Sequence, residues 1–308
     1  MTTKPFVTFK SDEVGKLCQQ TLLAKHNIHE TEMFSDSNLI KLLDNHPREY
    51  LYVHTMGEDP ENPSEWYNGI SHSVCGRDLL SAVKQGKLWF NIVKIGDFHP
   101  EYKSLLDKLY GQIEAQAPHF QSIKRTYTLL ISSPKSMVFY HADPYLVFLW
   151  QLRGKKRVYI YPFNEKFAPT EDLEKIFTRE AIEDLPYHRD FDKDAEIIEL
   201  NPGQMVSWVQ NAPHRVVNVD DVNVSITSNH YTEAALRREF VYSANRYFKN
   251  MGLPASSTAT TGLVAHSKVF SFRALRKLNI KVPKAYHYEK TFVVDPKAPQ
   301  GFQFLSSL

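Results

Sequence analysis

Two runs between residues 125 and 231 alternate apolar and polar residues with a period of two, which is the period of a β-strand. After the turn at Gly154, the run KKRVYIYP places Lys156, Val158 and Ile160 on one face of a strand. Later in this region, DVNVSITSNHYT divides into an apolar face (Val222, Val224, Ile226) and a polar face (Asn223, Ser225, Thr227, Asn229, Tyr231). We expect the apolar face to pack on a helix and the polar face to line a pocket, although a strand facing solvent has the same alternation.

The flanking regions have the period of a helix instead. Apolar residues after His99 recur three and four positions apart, which predicts an amphipathic helix facing a core. Other helices are predicted over 37–43, 76–84, 232–251 and 264–278, and strands begin near Leu51 and Lys87. The chain therefore divides into an N-terminal α+β region (1–120) that buttresses a β-rich core (121–232), and a C-terminal helical region (233–308).

An acidic insert, 165–194, interrupts the β-rich core. It holds ten acidic residues against five basic ones, and its apolar residues are sparse. A solvated charged face is the favoured interpretation, and a lid that closes over substrate is the alternative.

Composition limits the function classes. The 308 residues are 42% hydrophobic, so the chain can bury a large core, and the net charge of +2 comes with no basic tract, so we expect no nucleic-acid partner. Cys18 and Cys75 share no metal-binding spacing. No apolar run approaches the roughly 18 residues of a membrane helix, and the start lacks the apolar segment of a signal peptide. We expect a cytoplasmic protein that does not enter a membrane.

The candidate chemistry begins with His141 and Asp143. On a strand, side chains two residues apart leave the same face about 6.6 Å apart, close enough to share one ion. His214, in a second β-rich run, supplies a third ligand. Two histidines and one carboxylate that leave coordination positions open are the ligand set of non-haem Fe(II) oxygenases, whereas a closed structural zinc site needs a fourth ligand.

The spacing alone is weak evidence, because the composition gives about 1.5 His-x-Asp/Glu matches by chance and the chain has four. His99 with Glu101 contains a proline and opens a helix, His188 with Asp190 lies in the acidic insert, and His287 with Glu289 has no later histidine to complete it. Only the pair at His141 lies between β-rich runs and is followed by a turn, a lysine-bearing strand and a distant histidine.

Lys156 shares its strand face with two β-branched apolar residues, so we expect its side chain to be at least partly buried. A buried ammonium needs an anionic partner, and a carboxylate of 2-oxoglutarate is such a partner. The alternative is a solvated basic turn in the run GKKR.

The stretches HADPYLVFLWQLRGKKRVYIYP and WVQNAPHRVVNVDDVNVSITSNHY resemble the JmjC, or jumonji-type, Fe(II)/2-oxoglutarate oxygenases, including their asparaginyl-hydroxylase branch. The resemblance implies that His141, Asp143 and His214 bind iron and that Lys156 holds the far carboxylate of 2-oxoglutarate. Other 2-oxoglutarate oxygenases have an arginine about ten residues after the distal histidine, where this chain has Val224, so the lysine version is the consistent one. Val138 and Val147 replace a hydroxyl residue and an asparagine of the asparaginyl-hydroxylase pattern.

The fold that the resemblance implies is a double-stranded β-helix, a jelly-roll (cupin) barrel that holds the metal at its mouth, with N- and C-terminal helical additions. The implied reaction consumes Fe(II)-bound 2-oxoglutarate and O2, releases succinate and CO2, and hydroxylates a protein or peptide side chain or an amino-acid-like small molecule. Relatives of this type pair two subunits through C-terminal helices, so a homodimer is expected. Further cosubstrate-binding candidates are Asn218, Thr227, Asn229, Tyr127 and Tyr140.

Two alternatives stay open at this point. The barrel could be a metal-dependent cupin enzyme that does not use 2-oxoglutarate, in which case Lys156→Ala leaves turnover intact. It could also be a binding module without catalysis, in which case the purified protein holds no metal.

Overall fold

The computed structural model describes residues 4–219, 221–277 and 289–305. The α-helices in chain order are α1 (Asp36–Asn45), α2 (Gly76–Gln85), α3 (Ile95–Phe98), α4 (Pro100–Gln116), α5 (Thr170–Phe177), α6 (Glu233–Asn250) and α7 (Gly262–Lys277). The strands are β1 (Val7–Phe9), β2 (Leu22–His26), β3 (Leu51–Met56), β4 (Trp66–Ile70), β5 (Trp89–Ile92), β6 (Ile123–Ser132), β7 (Met137–His141), β8 (Leu146–Arg153), β9 (Lys156–Ile160), β10 (Glu196–Leu200), β11 (Gln204–Ser207), β12 (His214–Asn218), β13 (Asn223–Tyr231), β14 (Lys290–Val294) and β15 (Phe302–Phe304).

Strands β6 to β13 form a jelly roll. One of its sheets has the order β11-β8-β13-β6 and the other has the order β10-β9-β12-β7, and every pairing within them is antiparallel. Apolar residues from both sheets pack together between them, among them Leu149 and Val206 from the first sheet and Val158 and Val216 from the second. The predicted double-stranded β-helix is confirmed.

The N-terminal region is more than a buttress, because its strands continue the larger jelly-roll sheet at both edges. Strands β1 and β2 add beside β11, and β5, β3 and β4 add beside β6. Strand β14 then pairs in parallel with β4, and β15 pairs with β14, which gives an eleven-stranded sheet. The predicted C-terminal helical region is therefore wrong in its last part, where the chain returns to the sheet.

Helices cover the outer face of the large sheet. The predicted apolar stripe of α4 is buried, including Tyr102, Leu106 and Ile113, and it packs with residues of α1, α2 and the outer sheet face in the largest core cluster. Helix α6 begins where predicted, since the Thr232 hydroxyl accepts a hydrogen bond from the Ala235 N–H at 3.2 Å. Helix α7 occupies the predicted segment, whose last residue, Leu278, lies outside the described residues.

The acidic insert is not simply a solvated face. Helix α5 buries Leu173, Ile176 and Phe177, which form a core cluster with residues of β7 and the insert, and it also buries Glu174, whose carboxylate pairs with Lys249 at 2.8 Å. Asp192 fixes the insert to the outer face of the smaller sheet. Its carboxylate accepts hydrogen bonds from Arg215 Nη2 at 2.5 Å and from the Tyr187 hydroxyl at 2.8 Å. The sequence pattern missed this apolar side because only a few positions in the insert carry it.

Across the described ranges, the structure contains no helix that has both the length and the apolar character needed to cross a membrane.

Candidate metal and cosubstrate site

The register of the smaller sheet brings the three predicted metal ligands together. Strands β7 and β12 pair so that His141 lies directly opposite His214, and Asp143 follows β7 by two residues. The two imidazole centroids are 4.1 Å apart, and His214 Nε2 lies 3.3 Å from Asp143 Oδ2. One ligand atom from each residue can be chosen so that all three lie within 4.8 Å of one another. Residues more than 70 positions apart therefore converge on one point.

Backbone carbonyls fix the tautomer of both histidines. Nδ1 of His141 is 2.7 Å from the Phe139 carbonyl oxygen, and Nδ1 of His214 is 3.2 Å from that of Ala212. Because a carbonyl only accepts, each Nδ1 carries the proton and each Nε2 keeps its lone pair for the centre of the cluster. There the lone pairs face the Asp143 carboxylate, which also only accepts. Such a donor set is complementary to a divalent cation.

The pKa values in the cluster reflect this crowding. Burial, together with the neighbouring His214, lowers the pKa of His141 below its usual value. Burial would raise the pKa of Asp143, but the adjacent His214 and His141 hold it below its ordinary value. Near neutral pH the site therefore presents a neutral His141 ring and an ionised carboxylate, which are the protonation states that a metal ion needs.

The turn before His214 clamps the two halves of the cluster together. Asn211 Nδ2 donates to the Asp143 carbonyl oxygen at 2.8 Å, and Gln210 Nε2 donates to the Pro144 carbonyl oxygen at 3.0 Å. Asn211 holds a left-handed conformation, with φ of 64°, which asparagine tolerates better than most residues. Neither residue was predicted. The Asn-Ala-Pro run before His214 is the sequence signal of a tight turn that could have indicated them.

Lys156 lies on the inner face of β9, in the cavity that the cluster also lines. Its side chain is 0% exposed, its Nζ donates to Ser225 Oγ at 2.9 Å, and it lies 5.4 Å from the centre of the Trp89 ring. Burial lowers the pKa of Lys156 to about 7. Among the described residues no carboxylate pairs with it, so its positive charge is uncompensated.

The cavity measures about 820 Å³ and separates the lysine from the metal cluster. In the sheet, Lys156 pairs with Asn218 while Ile160 pairs with His214, so the lysine begins four residues, or about 13 Å, along β9 from the cluster. Val158 of β9 lies between them in sequence and is buried in the barrel interior. The space between an ammonium and a metal-binding cluster suits a ligand with acidic groups at both ends.

Of the other candidates on β13, Thr227 and Asn229 line this cavity, and their side-chain oxygens are 3.1 Å apart. Val138 and Val147, which stand where the asparaginyl-hydroxylase pattern has polar residues, line it as well. Asn229 is the direct cross-strand partner of Val147, so an amide is present one strand away from the expected position.

The remaining three candidates are wrong as cavity residues. The Tyr127 hydroxyl donates to Asp107 Oδ1 at 2.6 Å on the helix-covered side of the large sheet. The Tyr140 hydroxyl donates to the Phe167 carbonyl oxygen at 2.7 Å, under the acidic insert. Asn218 turns its amide nitrogen to Ser132 and Ser133, both at 2.8 Å, and does not line the cavity. Each tyrosine lies one residue from a cavity-facing neighbour, so each points to the opposite face of its strand.

The structure also adds cavity residues that the sequence patterns did not indicate. The insert brings Glu183 and Asp184 to the cavity, because the Ala142 N–H donates to the Glu183 carbonyl oxygen at 3.0 Å and holds the insert beside β7. The strands outside the jelly roll contribute His54, Trp66, Asn68, Trp89, Asn91 and Lys290. Trp66 also contacts Phe139, at a centroid distance of 6.1 Å.

No family model and no curated protein matches the chain. Several solved structures of YcfD from Escherichia coli do. One is 15% identical over 92% of this chain and 71% of that chain, with a TM-score of 0.53. A second, described as a ribosomal oxygenase, is 14% identical over 94% and 75%, with a TM-score of 0.52. A third, in complex with cobalt and 2-oxoglutarate, is 12% identical over 90% and 69%, with a TM-score of 0.51.

At this level of identity the similarity shows the fold alone. It agrees with the double-stranded β-helix that the family resemblance implied, and it extends over nine-tenths of the chain, so the flanking strands and helices are part of the similarity. The matching structures give no support to the narrower resemblance to the asparaginyl-hydroxylase branch.

Proposed function

We propose that this protein is an oxygenase that uses Fe(II), 2-oxoglutarate and O2 to hydroxylate a C–H bond, with release of succinate and CO2. The observation that carries the proposal is a complementary pair of sites in one cavity. A cluster with two free imidazole lone pairs and a carboxylate lies at one end, and the uncompensated ammonium of Lys156 lies at the other. The complex of YcfD with cobalt and 2-oxoglutarate supports the choice of cosubstrate for a chain of this fold.

In this proposal His141, Asp143 and His214 hold the metal, and their Nδ1–H bonds to backbone carbonyls keep both rings in the required tautomer. Lys156 binds the far carboxylate of 2-oxoglutarate, with the Ser225 hydroxyl held beside it. Thr227 and Asn229 offer further hydrogen bonds from the neighbouring strand. The iron and its cosubstrate together would supply the oxidising power, and the chain supplies ligands, orientation and a cavity that holds them.

The substrate is proposed to be a protein or peptide side chain or an amino-acid-like small molecule. The description of YcfD as a ribosomal oxygenase makes a protein substrate reasonable for a chain of this fold. The asparaginyl-hydroxylase branch stays a prediction from the motifs, as does the absence of a nucleic-acid partner.

The decisive experiment loads the purified chain with Fe(II) without oxygen, adds 2-oxoglutarate, and then admits air while succinate is measured. Metal and 2-oxoglutarate affinities are measured separately by calorimetry with Zn(II). We compare the wild type with His141→Ala and Lys156→Met, and with Lys155→Met as the matched control, because Lys155 is the exposed neighbour at the same turn.

The expected result is that His141→Ala loses metal binding and succinate formation, whereas Lys156→Met binds metal but loses 2-oxoglutarate. Metal-dependent activity that is indifferent to 2-oxoglutarate and to Lys156→Met would favour the other cupin enzyme. A wild type that binds no divalent metal would favour the binding module, and either result contradicts the proposal.

A homodimer through the C-terminal helices is proposed on the family resemblance. Helix α7 leaves Leu263, Val264 and Phe270 exposed, which is consistent with a second copy covering them. Sedimentation at micromolar concentration should give a dimer, and Phe270→Glu should reduce it to a monomer. A monomeric wild type removes the dimer.

A further inference from the structure

A row of polar side chains crosses the part of the large sheet that lies outside the jelly roll. Lys290 of β14 pairs with Asn68 of β4, Asn68 pairs with His54 of β3, and His54 pairs with Trp89 of β5. We call these four residues the polar row. All four line the same cavity as the metal cluster and Lys156. Trp89 lies beside Lys156, whereas Lys290, Asn68 and His54 have no role in the proposed handling of iron or 2-oxoglutarate.

The hydrogen bonds of the polar row run in one direction. The Trp89 indole N–H can only donate, and it donates to Asn91 Oδ1, which turns Asn91 Nδ2 toward His54 Nε2 at 3.4 Å. Nε2 must then accept, so the His54 proton is on Nδ1, which donates to Asn68 Oδ1 at 2.9 Å. The orientation of both amides and the tautomer of His54 therefore follow from the Trp89 indole N–H, which can only donate.

The end of this chain presents only donors to the cavity. With its oxygen occupied, Asn68 turns Nδ2 and its two hydrogens away from His54, and among the described residues no acceptor is bonded to that nitrogen. Asn68 is only 6% exposed as a residue, but its Nδ2 atom is accessible and opens into the cavity. A ligand acceptor that enters the cavity can therefore bond to this amide donor.

The charge beside Asn68 is positive, as a ligand with an acidic group requires. Lys290 is the cross-strand neighbour of Asn68 and is exposed at the cavity, where partial desolvation lowers its pKa. Burial, with the positive charge of Lys290, lowers the pKa of His54 to about 4, so His54 is neutral at physiological pH. One ammonium and planar amide donors match a carboxylate, which is planar and carries a single charge.

From these observations we infer that Asn68 and Lys290 form the subsite for a carboxylate of the molecule that is oxidised. The inference rests on the proposed function and names the substrate class as a small carboxylic acid of amino-acid size. Trp66 contacts His54 at a centroid distance of 4.8 Å, with the rings tilted by 35°, and also contacts Phe139, two residues before His141. The aromatic surface thus leads from the carboxylate subsite toward the metal cluster and offers an apolar path for the rest of the substrate.

The test uses the full chain loaded with Zn(II) and 2-oxoglutarate, which fills the primary site without turnover. The probes are the twenty free amino acids, their twenty carboxamides and inorganic phosphate. Affinity is measured by calorimetry, and the side-chain amide signals of Asn68 are followed by NMR, with Asn68→Asp identifying them by their loss.

The expected result is that at least one free acid binds and shifts the Asn68 amide signals, while its carboxamide binds at least about tenfold more weakly. Lys290→Met weakens the acid about tenfold and Asn68→Asp weakens it more, because a carboxylate replaces the donor. The 2-oxoglutarate affinity of both variants stays within about twofold of the wild type. Lys297→Met, an exposed lysine after the same strand, is the matched control and changes nothing.

Three results overturn the inference. They are that no free acid binds, that carboxamides or phosphate bind as tightly as the acids, or that Lys290→Met leaves acid affinity unchanged. Failure of the proposed function is recognised separately, because it appears as 2-oxoglutarate binding that is absent or insensitive to Lys156→Met.

Discussion

The two walls of the cavity differ in how their polar groups are paired. The ligand wall is the inner face of the smaller sheet with the loop after β7, and it carries His141, Asp143, His214 and Lys156. Its charged and lone-pair groups have too few partners within the protein. The polar row on the other wall is neutral except at Lys290 and satisfies itself from Trp89 to Asn68. Charged groups without partners in the protein mark where a metal ion and an acid can bind. In the polar row the hydrogen bonds are made within the protein, and the Asn68 amide nitrogen is left for a ligand.

The charge balance of the ligand wall is consistent with this distinction. An ionised Asp143 and a protonated Lys156 cancel each other, and a divalent cation with a doubly charged 2-oxoglutarate adds no net charge. Buried charges are tolerated when each has a close partner of opposite sign. Cation and cosubstrate would each supply a missing partner.

The largest difference between the walls should appear when one histidine of each is replaced by alanine. His214→Ala should lower the affinity for a divalent metal by more than about 100-fold, because it removes a ligand, and should change the unfolding free energy of the metal-free protein little. His54→Ala should leave metal affinity within about twofold but cost about 2 kcal/mol of stability, because Asn68 and Asn91 lose their partner. Calorimetry with Zn(II) and urea unfolding measure both. Equal loss of metal affinity in the two variants would erase the distinction between the walls.

The next effect is the pH dependence of cosubstrate binding. With the pKa of Lys156 at about 7, the ammonium that binds the carboxylate is lost as pH rises, so affinity should fall about tenfold per pH unit above 7 and level off below it. Calorimetry on the Zn(II)-loaded protein between about pH 6 and 9 measures this slope. Lys156→Met should bind weakly at every pH, and a slope that persists in that variant would assign the effect to another group.

The same lysine predicts a stability trend of the opposite sign. Its ordinary value is 10.5, so between about 7 and 10.5 the unfolded chain holds a proton that the folded protein has released. The stability of the metal-free protein should therefore rise with pH through this window, by up to about 1.4 kcal/mol per unit from this group. Urea unfolding of the wild type and Lys156→Met at several pH values isolates the contribution as their difference. A constant difference would contradict the burial of a titrating amine.

A smaller effect should follow from loosening the clamp between the two halves of the ligand wall. Asn211→Gly keeps the left-handed backbone available but removes the hydrogen bond to the Asp143 carbonyl, so metal affinity should fall about tenfold and stability by about 1 kcal/mol. Asn201→Ala is the control, because its side chain also bonds a backbone carbonyl but far from the site. Unchanged metal affinity in Asn211→Gly would make the clamp purely structural.

The smallest effect should come from Tyr127→Phe, which removes a hydroxyl on the helix side of the large sheet. It should cost about 1 kcal/mol through the lost hydrogen bond to Asp107 and leave metal and 2-oxoglutarate affinities unchanged. A loss of 2-oxoglutarate affinity would indicate that the Tyr127 side chain faces the cavity, which contradicts the strand orientation described above.

The sequence by itself determined those features that depend on neighbours along the chain. The period-two pattern set which residues share a face with Lys156 on β9 and placed Thr227 with Asn229 on β13, and the helical stripe set which side of α4 is buried. The spacing of His141 and Asp143 predicted that both could reach one ion, although Asp143 lies in the loop after β7 and not on the strand. These are local consequences of strand and helix geometry, so a short window of sequence contains them.

Only the tertiary structure decided which sheet faces the cavity and which distant strands lie side by side. Tyr127 and Tyr140 are buried in core clusters on the sheet faces away from the cavity, and because a tyrosine suits either face, its presence carries no information about direction. Asn68 and Lys290 are neighbours because β14 pairs with β4, although the whole jelly roll lies between these two strands in the sequence. Register between strands so far apart is set by the packing of the complete sheet, and no local periodicity encodes it.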